Sequence, residues 1–250
     1  MRDGLVSTVG DMDPGSPGPA TAMDMVDEAT DRVLSDLRIL SDADLRASSR
    51  LPDWTRGHVL SHLARNADAL GNLLESARTG EQIYAYQSRE QRAADIAAGA
   101  DRALDVQAAD IVAAHEAFRD RASRVTDWDA TVTRMAGDPG IPAWWVPLLR
   151  LGEVEIHHLD LDTGYDIAQW PPEWVRAFLP YAALDLADRA AVPIRLQPDD
   201  SDAPIGAEDT DALVVAGPAS SVLAWMIGRD EGSDLRTTPD GPLPDLGTWR

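Results

Sequence analysis

Two groups of residues in this chain have the types and spacing of a metal site. One is the segment Trp54–Asn66, which holds two of the five histidines four residues apart. The other is a later segment in which Glu153 precedes His157 by four residues, so that both side chains share one face of a helix. Two such ligands, joined by a third from another helix, form the His₂Glu set of catalytic zinc sites, which leave one coordination position for water or substrate.

The spacing in the later segment permits other interpretations. Glu155 and His158 are three residues apart and also share a helical face. A solvated polar face near a helix C-terminus also favours histidines, because the helix dipole stabilises positive charge there. Spacing alone does not decide between the metal site, the pair Glu155 and His158, and a solvated helix face.

The segment Trp54–Asn66 is typical of a buried helix that begins after Thr55, a residue suited to the N-cap. At about 100° per residue, His62 lies at the edge of the apolar stripe and His58 lies further round, towards the polar face. We therefore expect His62, rather than His58, to line the core or a pocket. The alternative for His62 is a hydrogen-bonded structural histidine. The apolar stripe consists of Leu60, Leu63, Ala67, Leu70 and Leu74.

Arg229 is a candidate for binding an anion. It follows Gly228, which ends a short predicted helix, so a backbone turn can aim its guanidinium. The guanidinium matches a carboxylate with two parallel hydrogen bonds. The alternative is a surface arginine that is stabilised by the dipole at the helix C-terminus.

Composition restricts the class of function. There are 43 acidic and 22 basic side chains, a net charge of −21, which disfavours binding to nucleic acids and anionic membranes. An anionic substrate would need a locally positive pocket. The chain has no cysteine, and it shows neither a signal-peptide pattern nor a long apolar stretch. We expect a soluble, cytoplasmic protein from a GC-rich genome.

The elements that must position these residues follow from periodicity. Residues 1–20 are rich in Gly, Pro, Asp and Ser and are predicted to form a flexible tail. Residues 21–165 are predicted to form a four-helix bundle, in which His115 is expected to be a solvated or capping residue. The four predicted helices span about 21–40, 55–78, 90–124 and 143–162.

After a predicted linker at 164–172, the sequence pattern changes from helical to mixed helix and strand. Residues 171–250 are predicted to form a small α+β domain. Its predicted elements are a helix at 173–190, strands at 193–197 and 212–215, and a helix at 222–227.

These features together resemble the mycothiol-dependent maleylpyruvate isomerase family, the actinobacterial branch of the DinB-like metalloenzymes. The resemblance covers nearly the whole chain after the tail. Two segments depart from the family pattern, 83–87 and the short stretch between Leu196 and Val214, where a reduced sheet is expected. The similarity is carried by Trp54–Asn66, Gly80-Glu81, Gln91-Arg92, Asp95-Ile96, Glu153–Leu161, Leu223–Trp225 and Gly228-Arg229.

The resemblance implies a mainly α protein, in which a DinB-like four-helix bundle is followed by a small α+β domain resembling sterol-carrier proteins. It also implies a divalent metal, normally zinc, held by His62, Glu153 and His157. Arg229 matches the functional arginine of the family. Arg65 and Asn66, one helical step from His62, are second choices for contacts with the substrate or the thiol.

The activity implied by the resemblance is the isomerisation of maleylpyruvate to fumarylpyruvate. The thiolate of mycothiol, favoured by the metal, adds to the cis double bond and leaves after rotation. The partners are then a small anionic substrate and a low-molecular-weight thiol, with the protein a monomer or weak homodimer. The alternatives are a mycothiol S-transferase on the same scaffold and a non-catalytic binding protein.

Overall fold

The structure is a computed structural model that describes residues 16–201 and 203–249. Most of the tail predicted for residues 1–20 lies outside the described residues. The described chain is mainly helical with two small sheets, which confirms the predicted fold class at this level. Within it, no helix is long and apolar enough to cross a membrane. Two compact units, 17–165 and 166–249, are described separately below.

The first unit is built on six helices and one small hairpin among the described residues. The two strands of the hairpin, β1 and β2, pair antiparallel. The bounds are α1 Pro19–Leu37, α2 Asp42–Leu45, α3 Arg56–Thr79, α4 Arg89–Ala100, α5 Leu104–Ser123, β1 Thr131–Val132, β2 Ile141–Pro142 and α6 Trp145–Asp160.

The central helix of this unit is α3, which packs against α4, α5 and α6. Its N-terminus is capped as predicted, because the Thr55 side chain accepts from the backbone N–H of His58. Its C-terminus ends at Gly80, whose φ of 72° is the left-handed conformation expected there. The apolar stripe predicted from periodicity is buried, and it forms the core together with one face of α1 that holds Ala22, Val26, Ala29, Val33 and Leu37.

The single long helix predicted for 90–124 is wrong, because the chain leaves helical geometry after Ala100 and re-enters it at Leu104. The Asp42 carboxylate accepts the Leu104 N–H at 2.8 Å and so satisfies a first-turn amide of α5. The break brings the end of α4 close to α3. A methyl group on Gly57 would lie 2.1 Å from the carbonyl oxygen of Ala100, so only glycine permits this approach.

The second unit combines helices with a four-stranded sheet in the order β4-β3-β5-β6. Strands β3 and β5 are parallel, and the two outer strands pair antiparallel with them. After a 3₁₀ turn at Ile167–Gln169, the bounds are α7 Pro172–Ala182, α8 Leu186–Arg189, β3 Ile194–Pro198, β4 Ile205–Gly206, β5 Leu213–Gly217, α9 Ala219–Met226 and β6 Arg236–Thr238.

Most elements of the second unit agree with the sequence analysis. Strands β3 and β5 and helix α9 are the predicted ones, shifted by one to three residues. The helix predicted for 173–190 is wrong as one element, since it ends at Ala182 and a short turn of helix follows at Leu186–Arg189. Strands β4 and β6 were not predicted, because two or three residues are too few to show an alternating pattern.

Candidate active site

Three side chains from α3 and α6 converge in the first unit. The Nε2 atom of His62 lies 2.9 Å from Oε2 of Glu153, and Nε2 of His157 lies 3.4 Å from the same oxygen. The two imidazole rings meet edge to face with centroids 4.5 Å apart. One ligand atom from each residue lies within 4.8 Å of the other two, a spacing that a single metal ion can bridge.

The cluster is largely shielded from water but not closed. The side chain of His62 is 1% exposed, that of His157 is 13% exposed and that of Glu153 is 28% exposed. His62 also packs against the Trp54 ring at 5.6 Å, edge to face. Solvent therefore reaches the cluster on the side of Glu153.

Burial and mutual contact set the protonation of the cluster. Burial, with the nearby His157, lowers the pKa of His62 to about 4, so its imidazole is neutral at pH 7. Burial opposes ionisation of Glu153, but hydrogen bonds from His157 and His62 hold its pKa well below the usual range. Burial also opposes the charged form of His157, yet Asp160 and Glu153 outweigh it and raise the pKa of His157. The carboxylate is thus ionised, and of the two histidines His157 is the one that binds a proton first as the pH falls.

Asp160 orients the imidazole of His157. The Nδ1 atom of His157 lies 2.8 Å from Oδ2 of Asp160, whose side chain is fully buried. A carboxylate can only accept, so Nδ1 carries a hydrogen and Nε2 is the atom directed at the cluster. This carboxylate–histidine pair is the usual support of a metal-ligating histidine. The sequence analysis did not identify Asp160, although its position three residues after His157 is the signal that indicates it.

Arg92, a cationic residue, lies beside the cluster. The sequence analysis had noted it only as part of the motif Gln91-Arg92. The Arg92 Nη2 atom on α4 is 3.3 Å from Nδ1 of His62. The guanidinium also lies 5.6 Å from the centroid of the Tyr86 ring. Arg92 therefore supplies positive charge at the cluster in a chain whose net charge is −21.

Arg65 and Asn66 have different surroundings. Arg65 forms ion pairs with Asp110 at 2.7 Å and with Asp68 at 3.2 Å. Asn66 is buried, and its oxygen accepts from Arg150 at 2.8 Å. The contacts predicted for these two residues with substrate or thiol stay predictions.

The alternative pair in α6, Glu155 and His158, does not form a second cluster. Glu155 is fully buried and forms an ion pair with Arg32 on α1 at 2.6 Å. His158 contacts Asp36 on α1 at 2.9 Å. Within the described residues, the group with metal-ligand geometry is the one centred on Glu153.

The remaining two histidines have structural partners. His58 lies 2.8 Å from the Thr55 hydroxyl at the helix cap, in agreement with its predicted place away from the core. The expectation that His115 is solvated or capping is wrong. Its side chain is 13% exposed, and Nε2 lies 3.0 Å from Asp27. The partner is on α1, so the sequence pattern of α5 could not indicate it.

Arg229 lies in the second unit, after the end of α9. Its backbone N–H donates to Ala224 O at 2.8 Å, and its Nη1 donates to Ile227 O at 2.9 Å. Gly228 before it has a φ of 70°, the left-handed conformation that only glycine adopts without strain. The predicted glycine stop is therefore present, and it fixes the backbone from which Arg229 projects.

Comparison with known proteins gives one family and two solved structures. The family described as "Mycothiol maleylpyruvate isomerase N-terminal domain" matches residues 26–162. A crystal structure of the mycothiol-dependent maleylpyruvate isomerase and one of its histidine-to-alanine mutant each have a TM-score of 0.82 and 23% identity. Each match covers 92% of this chain and 97% of the other chain, and at this identity it concerns the fold. No curated protein sequence matches.

Proposed function

The chain belongs to the mycothiol maleylpyruvate isomerase N-terminal domain family, and we propose that it is a mycothiol-dependent isomerase that converts maleylpyruvate to fumarylpyruvate. The observation that carries the proposal is the convergence of His62, Glu153 and His157, which the match at residues 26–162 includes. The sequence analysis selected the same three residues. We propose that they hold one divalent metal, with zinc as the expected ion.

The donor set fits zinc in three respects. Two imidazole nitrogens and one carboxylate oxygen form a ligand set of catalytic zinc sites. The buried Asp160 carboxylate already directs Nε2 of His157 into the cluster. His62 is neutral at pH 7, so its imidazole need not release a proton to solvent before it binds a metal. When bound, such a metal favours the thiolate form of mycothiol, which is the nucleophile.

The reaction then needs addition, rotation and elimination. The thiolate forms a C–S bond to the cis double bond of maleylpyruvate, and the π-electron pair moves onto the conjugated carbonyl oxygen as an enolate. The former double bond rotates as a single bond. The electron pair returns, the C–S bond breaks, and trans fumarylpyruvate and the thiolate are released.

The chain's own residues supply positive charge for an anionic substrate and for the enolate. Arg92 is placed beside His62 by the structure. For Arg229 we propose the same kind of role, a two-pronged hydrogen bond to a carboxylate or the enolate, as the family resemblance implies. Replacing Arg229 with Met is expected to reduce turnover while the metal content stays unchanged. Unchanged turnover would exclude Arg229 from the reaction.

The architecture of the family is part of the proposal. We propose that α1, α3, α5 and α6 are the DinB-like four-helix bundle, which fits the packing of α3 against α5 and α6 and of α1 against α6. We propose that residues 171–250 are the α+β domain that resembles sterol-carrier proteins. Its mixed four-stranded sheet with helices supports that assignment.

The proposal is tested by measuring whether mycothiol is used catalytically or is consumed. Zinc-loaded protein is incubated with maleylpyruvate and a sub-stoichiometric amount of mycothiol, and the products are followed by proton NMR. The proposal expects many molecules of fumarylpyruvate for each thiol. A stable thiol adduct in a one-to-one ratio would instead show a mycothiol S-transferase, and no reaction would contradict both.

A further inference from the structure

A chain of hydrogen bonds runs from the buried Arg150 towards the hydroxyl of Tyr86. The Nη1 atom of Arg150 donates to Leu63 O at 2.9 Å and to Asn66 Oδ1 at 2.8 Å. The Asn66 Nδ2 atom donates in turn to the Tyr86 hydroxyl oxygen at 3.4 Å. Arg150 is 1% exposed and Asn66 is 2% exposed, so water does not compete for these bonds.

Arg150 fixes the direction of this chain. A guanidinium carries only N–H donors, and although burial lowers the pKa of Arg150 to about 10, the group remains a cation at pH 7. The oxygen of the Asn66 amide must therefore face Arg150, and its NH₂ group must face Tyr86. The Tyr86 oxygen consequently accepts, and its own hydrogen is directed at another group.

The Tyr86 side chain borders the metal-ligand cluster. Arg92 connects the two, because it lies over the Tyr86 ring and contacts the His62 imidazole at 3.3 Å. Burial and the negative charge of Glu153 raise the pKa of Tyr86, so the phenol keeps its proton at pH 7. The contacts of Tyr86 with the described part of the chain include no acceptor for that proton.

We propose that Tyr86 is a further catalytic residue, whose hydroxyl donates a hydrogen bond to an oxygen of the anionic substrate, with Asn66 and Arg150 as positioning residues. This inference rests on the proposed function. The acceptor is a substrate carboxylate before addition or the enolate oxygen after it. No proton is transferred, since the electron pair on the enolate oxygen returns to carbon when the thiolate leaves. The hydrogen bond from Tyr86 therefore strengthens as negative charge develops on the substrate oxygen.

The first test removes only the hydroxyl. Tyr86→Phe keeps the ring under Arg92, and Tyr84→Phe, which changes an exposed tyrosine of the same loop, is the matched control. Binding of maleate, a cis-dicarboxylate, to zinc-loaded protein is measured by calorimetry, alongside kcat. Tyr86→Phe is expected to bind maleate about tenfold more weakly and to have a kcat lower by a factor of about 10²–10³. The zinc content and the control are expected to be unchanged.

The second test reverses the direction of the chain. In Asn66→Asp the new carboxylate still pairs with Arg150, but it accepts a hydrogen bond from the Tyr86 hydroxyl and so turns that hydrogen away from the substrate. The loss of maleate affinity should equal that of Tyr86→Phe although the tyrosine is present. The double variant should be no worse than either single variant, because both remove the same hydrogen bond. Additive losses would overturn the positioning role of Asn66.

The outcomes separate this inference from the proposed function. If the wild type binds maleate and Tyr86→Phe weakens that binding, the hydroxyl contact stands even if maleylpyruvate is not isomerised. If the wild type isomerises maleylpyruvate and Tyr86→Phe matches it in maleate affinity and kcat, the inference is overturned and the isomerase stands. Absence of maleate binding by the wild type also overturns the inference.

Discussion

The imidazole of His62 and the carboxylate of Glu153 meet at 2.9 Å, although 91 residues separate them along the chain. One belongs to α3 and the other to α6, so the site depends on how these two helices are held together. A displacement of either helix by about 1 Å would misplace the ligands, since catalytic constellations tolerate roughly 0.5 Å. Contacts that join the helix ends are therefore part of the site.

Arg56 joins these ends, and its removal is expected to weaken the site. At the start of α3, its Nε donates to Leu161 O at 2.6 Å and its Nη2 donates to Asp162 O at 3.1 Å, just after α6. Arg56→Ala should lower the free energy of unfolding by about 2 kcal/mol and weaken zinc binding. Urea denaturation and a chelator competition assay measure the two effects. The exposed Arg89→Ala is the control, and zinc affinity equal to wild type would contradict this role.

Asp160→Asn is expected to weaken zinc binding by about 10–100-fold, because the His157 ring loses the carboxylate that orients it and makes it more basic. The change preserves shape, and the fold should persist. Asp138→Asn, an exposed change of the same chemistry, is the control for altered net charge. Equal zinc affinities of the two variants would show that Asp160 does not support the site.

Zinc affinity is expected to rise with pH. The pKa of His157 is raised, so below that pKa a proton on its Nε2 competes with the metal. The apparent affinity should increase by about tenfold per pH unit and then level off above this pKa. His62, with a pKa of about 4, adds no competition near neutrality. Chelator competition from about pH 6 to about pH 8 gives the curve, and an affinity independent of pH would contradict this assignment of the proton.

The parts of the fold that the sequence could predict are those with a repeating pattern. The stripe from Leu60 to Leu74 and the capping residue Thr55 placed α3, and the stripe distinguished the buried His62 from His58. The four-residue spacing of Glu153 and His157 placed both on one face of α6. These features depend on residues close together in the chain, so local rules determine them.

The features that could not be predicted depend on contacts between distant segments. The break between α4 and α5 is set by Asp42 and by the close approach of Ala100 to Gly57. The burial of His115 depends on Asp27, which lies on another helix. In the same way, the path from Arg150 to Tyr86 joins α6, α3 and the loop before α4, and no spacing in the sequence indicates it.

The metal content of two matched variants tests the central claim most directly. His62 and His58 lie one turn apart on α3, and only His62 belongs to the proposed site. After loading with zinc and removal of the excess, elemental analysis should find about one zinc per chain in the wild type and in His58→Ala, and almost none in His62→Ala. Equal zinc contents in both variants, or no zinc in the wild type, would contradict a metal site at His62, Glu153 and His157.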